Sequence, residues 1–185
     1  MHELTIVIIV LAILFDISNG YNDAANAIAT VVSTRVLTPA KAVILAVVMN
    51  VLGAFLTTAV AKTIGKGIVD PTAVTGLVIL SALVAGFLWN TLMTVFGLPV
   101  SASHALIGGL VGASVSYGGI TILNTSGLTK IFTALLVSPV FGLVFGFIVM
   151  SLILKFLGNL PPHTINKYFG KLQILSASFM AFSPG

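Results

Sequence analysis

The sequence contains no cysteine and very few charged residues. Of its 185 residues, 6% are charged and 58% are hydrophobic. Without cysteine, disulfides, thiolate metal sites and cysteine nucleophiles are excluded. A soluble domain carries about 25% charged residues, so a chain with so little charge cannot cover its surface in water. Its main solvent must be lipid, and the composition predicts an integral membrane protein.

The charges that are present stand singly between apolar runs. Eight Lys and Arg against four Asp and Glu give a net charge of +4. They form no basic cluster that would bind nucleic acid, and isolated cations are the usual flanks of membrane spans. Acidic residues are so few that one inside an apolar run indicates function. We expect no enzyme, because His104 next to Ser103 does not supply an activated nucleophile.

Apolar runs divide the chain into membrane segments. They cover about 4–33, 40–61, 73–97, 99–117 and 128–157, and a last run opens at about 171. A spanning helix needs ~20 apolar residues, and the first, second and fifth runs are long enough. Thr38-Pro39 and Asp70-Pro71 are each a capping residue followed by proline, which marks helix starts. The pattern predicts an all-α membrane bundle.

The third and fourth runs are joined by Gly97-Leu98-Pro99, with no charge between them. A turn at the membrane surface is normally more hydrophilic than this. Residues 73–117 are therefore predicted to form a re-entrant hairpin whose tip lies inside the bilayer, shielded by protein. Two full spans with a tight turn are the alternative.

Polar residues recur along the first run in steps of three and four: Asp16, Asn19, Asp23, Asn26, Thr30 and Ser33. On a helix they share one face, and such a face must line the bundle interior or a water-filled path. Gly20 lies in mid-membrane, where glycine loosens a helix, so we predict a broken first helix with exposed carbonyl groups.

Asp23 and the neighbouring amides form an oxygen-only site. Na⁺ prefers such ligands, and a lone buried Asp can instead carry a proton. We assign Asp23, Asn22 and Asn19 to the coupling cation, with Asp23 and Asn22 as its metal ligands. The alternative is that the polar groups only hold helices together, which accounts poorly for two carboxylates in one span.

A Pro-Val-Ser-Ala-Ser-His turn opens the fourth run at residues 99–104. Ser101 is a good N-cap and predicts a helix to about Tyr117. The tip would present free backbone N–H groups, the hydroxyls of Ser101 and Ser103 and the positive end of a helix, which together suit an anion. An ordinary capped helix start is the alternative, and a lone His such as His104 is more often a packing residue.

The two segments together resemble the PiT-type inorganic phosphate transporters. Residues 20–27, Gly-Tyr-Asn-Asp-Ala-Ala-Asn-Ala, are similar to that family's Gly-x-Asn-Asp-x-x-Asn-Ala signature. Residues 98–104, Leu-Pro-Val-Ser-Ala-Ser-His, are similar to its Leu-Pro-x-Ser-x-Thr-His element. Ser103 stands where Thr is commoner, and Ala102 stands where Thr or Gly is frequent. The resemblance covers essentially the whole chain.

The resemblance implies an architecture of two inverted repeats, with the substrate site between them. Residues 1–170 would form one repeat, and residues 171–185 are similar to the truncated opening of a second. The chain is therefore expected to be one half of a multi-pass transporter in the cell membrane. Its expected partners are the lipid bilayer and a second transporter half or another copy of itself.

The resemblance also implies the cargo. Inorganic phosphate or a metal–phosphate complex would be bound by Ser101, Ser103, His104 and Asn26. The coupling ion would be Na⁺ or H⁺, carried in symport, and no other cofactor is expected. The alternatives are a sulfate or related anion permease of the same family and a membrane fragment that transports nothing.

Overall fold

The computed structural model describes residues 2–56, 67–98, 100–158 and 161–182. In these ranges the α-helices are α1 (His2–Ser33), α2 (Pro39–Leu56), α3 (Gly76–Val95), α4 (Ala102–Gly118), α5 (Thr125–Leu157) and α6 (Pro162–Phe182). One-turn 3-10 helices lie at Pro71–Ala73 and Ile120–Ile122. The helices α1, α3 and α5 are long and apolar enough to cross a membrane. The prediction of an all-α membrane protein is confirmed.

Helix boundaries follow the local sequence with two differences. Asp70 caps only a one-turn 3-10 helix, and α3 begins later, where the Thr75 hydroxyl accepts a hydrogen bond from the Val78 N–H at 3.4 Å. The last helix begins at Pro162, ahead of the apolar run that opens at about residue 171, because proline is well suited to a first helical position. The end of the predicted span 40–61 beyond residue 56, Pro99 and residues 183–185 lie outside the described ranges.

The helix α1 is continuous through Gly20, so the predicted break in the first helix is wrong. Glycine in a helix interior costs only about 1 kcal/mol relative to alanine. The helix is long and apolar on both sides of Gly20, and its packing against neighbouring helices at both ends outweighs that cost. A Cβ added at Gly20 would meet nothing within 4 Å.

The first part of α1 runs parallel to α3. The contacts keep a nearly constant offset in sequence: Leu4 with Gly76, Phe15 with Gly86, Ser18 with Asn90, and Asn22 with Thr94. Because α3 ends at Val95, its end is level with the turn of α1 just after Asn22. From there to its end at Ser33, α1 continues for about 16 Å at 1.5 Å per residue.

The helices α3 and α4 form an antiparallel hairpin with touching backbones. A Cβ added at Gly109 would lie 2.6 Å from the carbonyl oxygen of Ala82. Two backbone hydrogen bonds join the open end of the hairpin: Asp70 N–H to the Ile122 carbonyl at 3.0 Å and Asn124 N–H to the Ile68 carbonyl at 2.9 Å. The hairpin is thus closed at both ends, and the position of its tip in the bilayer stays a prediction.

The second part of α1 packs against α2 and α6. Small residues from the three helices meet in two buried clusters: Ala27 with Ala46 and Ala181, and Val31 with Ala42 and Ala177. Small side chains permit this close approach of helices in a membrane bundle. By contrast, no residue of α5 is buried against the rest of the described chain. The helix α1 is therefore shared between two groups of helices.

Candidate functional site

The polar face of α1 is open along most of its length. Its members differ in burial: Asp16, Asn26, Thr30 and Ser33 are exposed, and Asn19 and Asp23 are half-buried. At 3.6 residues per turn, this face lies between the side of α1 that contacts α3 and the side that contacts α2 and α6. The predicted polar stripe therefore exists as one surface, and the described chain shields only its middle.

Asp23 lies at the shielded middle of this face. The Asn19 side chain, one turn earlier on the same face, lies beside the Asp23 carboxylate. Asn26 follows one turn later and is exposed. A carboxylate and amide oxygens are suitable ligands for a hard cation. Among the described residues, no group of three or more His, Cys, Asp or Glu could hold a metal ion.

The Asn22 side chain does not lie on the polar face of α1, because it points toward α3 and contacts it. Its Nδ2 donates to the Thr94 hydroxyl at 2.9 Å and lies 3.4 Å from Asn90 Oδ1. Asn90 Nδ2 in turn donates to the Ser18 hydroxyl at 2.9 Å. Asn90 is 0% exposed. We refer to Ser18, Asn22, Asn90 and Thr94 as the Asn90 cluster. That Asn22 binds the coupling cation stays a prediction.

Asn90 and Thr94 were not predicted as site residues, although the sequence contains a signal for them. They stand four residues apart in the apolar run 73–97 and so share one face of a helix. An amide buried in a membrane span is costly for the same reason as the polar groups of α1. The rule that selected the first helix would have selected this pair.

Ser101 caps the N-terminus of α4 at the hairpin tip. Its hydroxyl accepts a hydrogen bond from the His104 N–H at 3.4 Å. The capped helix predicted from Ser101 is confirmed, and it ends at Gly118, close to the predicted Tyr117. Ser101 and His104 are exposed and Ser103 is half-buried. Because positions 101 and 103 are about 200° apart on a helix, Ser103 lies on another face of α4.

A groove of about 760 Å³ runs between α3 and α4 beside the tip. Ser101 and His104 line it, together with Trp89 and several glycines and alanines. None of the described residues of α1 lines the groove. The predicted site residues therefore form two groups that the described chain does not join in one cavity. One group holds the predicted phosphate residues Ser101 and His104, and the other holds the predicted cation residue Asp23.

The two groups nevertheless lie at a similar level of the bundle. The parallel contacts of α1 and α3 place the end of α3 beside the turn that follows Asn22. That turn contains Asp23, and the hairpin tip with Ser101 follows the end of α3. An anion at the tip and a cation at the polar face would therefore be separated mainly perpendicular to the helix axes, and less along them.

These features define a multi-pass helical membrane protein that carries polar groups inside its spans and a serine-capped helix at a hairpin tip. The family model "Phosphate transporter family" matches residues 19–185. That range is most of the chain, and it contains both of the motifs on which the resemblance rests. The chain belongs to the phosphate transporter family.

Individual relatives agree with this membership. A Bacillus subtilis (strain 168) protein named "Probable low-affinity inorganic phosphate transporter" is 44% identical over 98% of this chain and 55% of its own length. A Streptomyces halstedii protein of the same name is 42% identical over 99% of this chain and 87% of its own length. The solved structure titled "The sodium-dependent phosphate transporter" matches 97% of this chain with a TM-score of 0.80 and 27% identity.

The chain spans about half the length of several of these proteins, 55% of the Bacillus relative and 54% of the chain in the solved structure. The relatives are named as transporters, which confirms the prediction that this protein is not an enzyme. Family membership and the apolar helices together confirm a multi-pass membrane protein.

Proposed function

We propose that this chain is one half of a secondary transporter that moves inorganic phosphate across the membrane together with a coupling cation. The observation that carries the proposal is the phosphate transporter family match over residues 19–185. The relatives named for inorganic phosphate support the substrate. The solved structure named for sodium dependence, at 27% identity, supports Na⁺ over H⁺ as the coupling ion.

The anion site proposed here is the N-terminus of α4. The first N–H groups of a helix lack intrahelical acceptors, and the helix dipole adds a partial positive charge there. The hydroxyls of Ser101 and Ser103 would add donors, with His104 and Asn26 completing the set. The groove beside Ser101 and His104 supports access to this end of the helix.

The cation site proposed here is Asp23 with Asn19 and Asn22. Phosphate near neutral pH is a mixture of monoanion and dianion, so a bare Asp23 carboxylate would repel it. A cation bound at Asp23 would remove that repulsion and add attraction, which grows as the local dielectric constant falls. Coupling between cation and anion then follows from electrostatics, and a metal–phosphate complex would satisfy the same requirement.

The proposed transporter needs a second half, supplied by another chain or another copy of this one. The exposure of Asp16, Asn26, Thr30 and Ser33 supports this, because polar groups facing lipid are costly. A second polar surface against α1 would cover them. In an inverted-repeat arrangement, that surface would be the corresponding helix of the other half.

Uptake of radiolabelled phosphate tests the proposal. The chain is expressed alone and then with a matching second half, in cells that lack other phosphate uptake. Uptake that requires the second half and the Na⁺ gradient is the expected result. Uptake that responds only to a proton gradient would make H⁺ the coupling ion, and strong inhibition by sulfate would change the substrate. No uptake under either condition would favour a fragment that does not transport.

A further inference from the structure

We propose that Asn90 and Thr94 are positioning residues, which hold Asn22 and the Asp23 turn of α1 in the geometry that binds the coupling cation. This proposal rests on the proposed function, because it concerns the cation site of the same transporter. It is carried by the Asn90 cluster, whose hydrogen bonds tie the end of α3 to α1 directly before Asp23.

The polar character of the Asn90 cluster requires a reason. Elsewhere the contact between α1 and α3 is apolar and tight, with Leu4 against Gly76 and Phe15 against Gly86. At the level of Asn22 the same contact becomes polar, and Asn90 is 0% exposed. A buried amide is unfavourable unless hydrogen-bonded, and apolar side chains could have packed the helices here as well. The polar contact therefore specifies an orientation as well as holding the helices together.

The hydrogen-bond directions indicate what is specified. The Thr94 hydroxyl has one proton, and the main-chain oxygen of Asn90 at 2.7 Å is a closer acceptor than Asn22 Oδ1 at 3.2 Å. With that proton used, Thr94 accepts from Asn22 Nδ2 at 2.9 Å, and Asn90 Oδ1 is the acceptor for the second Nδ2 proton at 3.4 Å. The amide nitrogen of Asn22 is thus held by α3, and its Oδ1 keeps acceptor capacity for a cation.

The consequence for Asp23 follows from its place in the chain. Asn22 immediately precedes Asp23, and Asn19 lies beside the Asp23 carboxylate on the same helix. Fixing Asn22 against α3 therefore fixes the rotation of this turn of α1 relative to the hairpin that carries Ser101. Without the Thr94 hydroxyl, the Asn22 amide loses its closest partner and keeps only the longer contact with Asn90 Oδ1, so its orientation is less firmly fixed.

Thr94→Val is the decisive variant, because it removes the hydroxyl and keeps the shape of the side chain. Thr94→Ser restores the hydroxyl. Thr91→Val is the matched control, since Thr91 is exposed on the same helix. In the complete transporter, we measure the NaCl concentration and, separately, the pH that give half-maximal uptake, at constant ionic strength and saturating phosphate. The half-saturating phosphate concentration is measured in parallel.

A second readout needs no transport. Trp89 is the only tryptophan and precedes Asn90 in α3, so its emission reports on the hairpin during NaCl and pH titrations of the purified chain. In Thr94→Val we expect the cation concentration at the midpoint of the titration to rise by about fivefold, which is the effect of one lost neutral hydrogen bond. The phosphate half-saturation should stay close to wild type, the melting temperature should fall only modestly with the lost hydrogen bond, and Thr94→Ser and Thr91→Val should titrate like wild type.

A shift confined to Thr94→Val supports the proposal. Equal titrations for Thr94→Val and Thr91→Val overturn it, as does a fall in melting temperature with no change in the cation midpoint, since that is the behaviour of a merely structural contact. A wild-type chain whose Trp89 emission responds to neither cation nor pH also overturns it. If Trp89 responds and phosphate uptake is absent even with the second half, the proposed function fails and the positioning role is still decided by the variants.

Discussion

The close contact between α3 and α4 can be tested by the substitution Gly109→Ala. A Cβ at this position would lie 2.6 Å from the carbonyl oxygen of Ala82 and 3.3 Å from its Cα. Because comfortable contacts between heavy atoms begin at about 3.5 Å, the two helices would have to separate by roughly 1 Å. The obstructing atoms belong to helical backbone, so they cannot rotate away as a side chain could.

The expected magnitude combines two terms of opposite sign. Replacing glycine by alanine inside a helix gains about 0.8–1 kcal/mol, and overpacking a well-packed contact costs about 1–3 kcal/mol. Gly108→Ala supplies the first term alone, because a Cβ there would meet nothing within 4 Å. The difference between Gly109→Ala and Gly108→Ala therefore isolates the overpacking cost, and we expect Gly109→Ala to be the less stable variant by about 1–3 kcal/mol.

Unfolding in detergent, followed by the emission of Trp89, measures this difference. Trp89 is the only tryptophan in the sequence and lies on α3, so the signal reports on the hairpin itself. Gly112→Ala is a second control, since its Cβ would also meet nothing within 4 Å. Equal stability of the Gly109 and Gly108 variants would refute the touching backbones of α3 and α4.

Three further outcomes follow from the structure. Ser114→Ala should raise stability by about 1 kcal/mol, because its hydroxyl is fully buried with no hydrogen-bond partner in the described chain; a lower melting temperature would reveal a hidden partner. Hydrogen bonds from Thr72 hold the pKa of Asp70 below the ordinary 3.8, so the ionised carboxylate stabilises the fold above that pH, and this stabilisation is lost as the pH falls through the lower folded pKa. Asp70→Asn should therefore flatten the pH dependence of the melting temperature below about pH 4; unchanged curves would contradict this. Gly53→Ala should destabilise the protein because the added Cβ collides with the backbone of Phe182, whereas Gly20→Ala should gain up to about 1 kcal/mol in a continuous α1; the reverse order of the two variants would disprove the packing of α2 against α6 and the continuity of α1.

The helices and the hairpin could be predicted because their signals are local. The lengths of the apolar runs predict the spans, and Ser101 predicts the start of α4 from its side chain alone. The break at Gly20 was wrong because helix propensity is a weak preference, which the packing of a long helix overrides. The start of α3 was misplaced because two capping residues, Asp70 and Thr75, follow each other closely and the sequence does not rank them.

The candidate site was harder to predict because its arrangement depends on non-local contacts. The polar positions of α1 could be assigned to one face from their spacing, but spacing does not tell which helix lies against Asn22. Its partners in the Asn90 cluster stand 68 and 72 residues away, a separation that depends on the parallel register of α1 and α3. For the same reason, the sequence did not reveal that Ser101 and Asp23 would stand on different surfaces of the described chain.

The place where α1 changes partners is also where its polar groups are concentrated. Up to Asn22 it packs against α3, and from Ala27 onward it packs against α2 and α6. A single helix about 48 Å long at 1.5 Å per residue exceeds the roughly 30 Å hydrocarbon core of a bilayer, so it has room for both contacts. Between them, the Asn19 side chain of the same helix lies beside Asp23, and Asp16 and Asn26 are exposed. Because hydrocarbon cannot solvate these groups, any element that covers this surface must itself be polar at the level of the hairpin tip. The physical requirement on any covering surface is therefore strict in depth and in polarity.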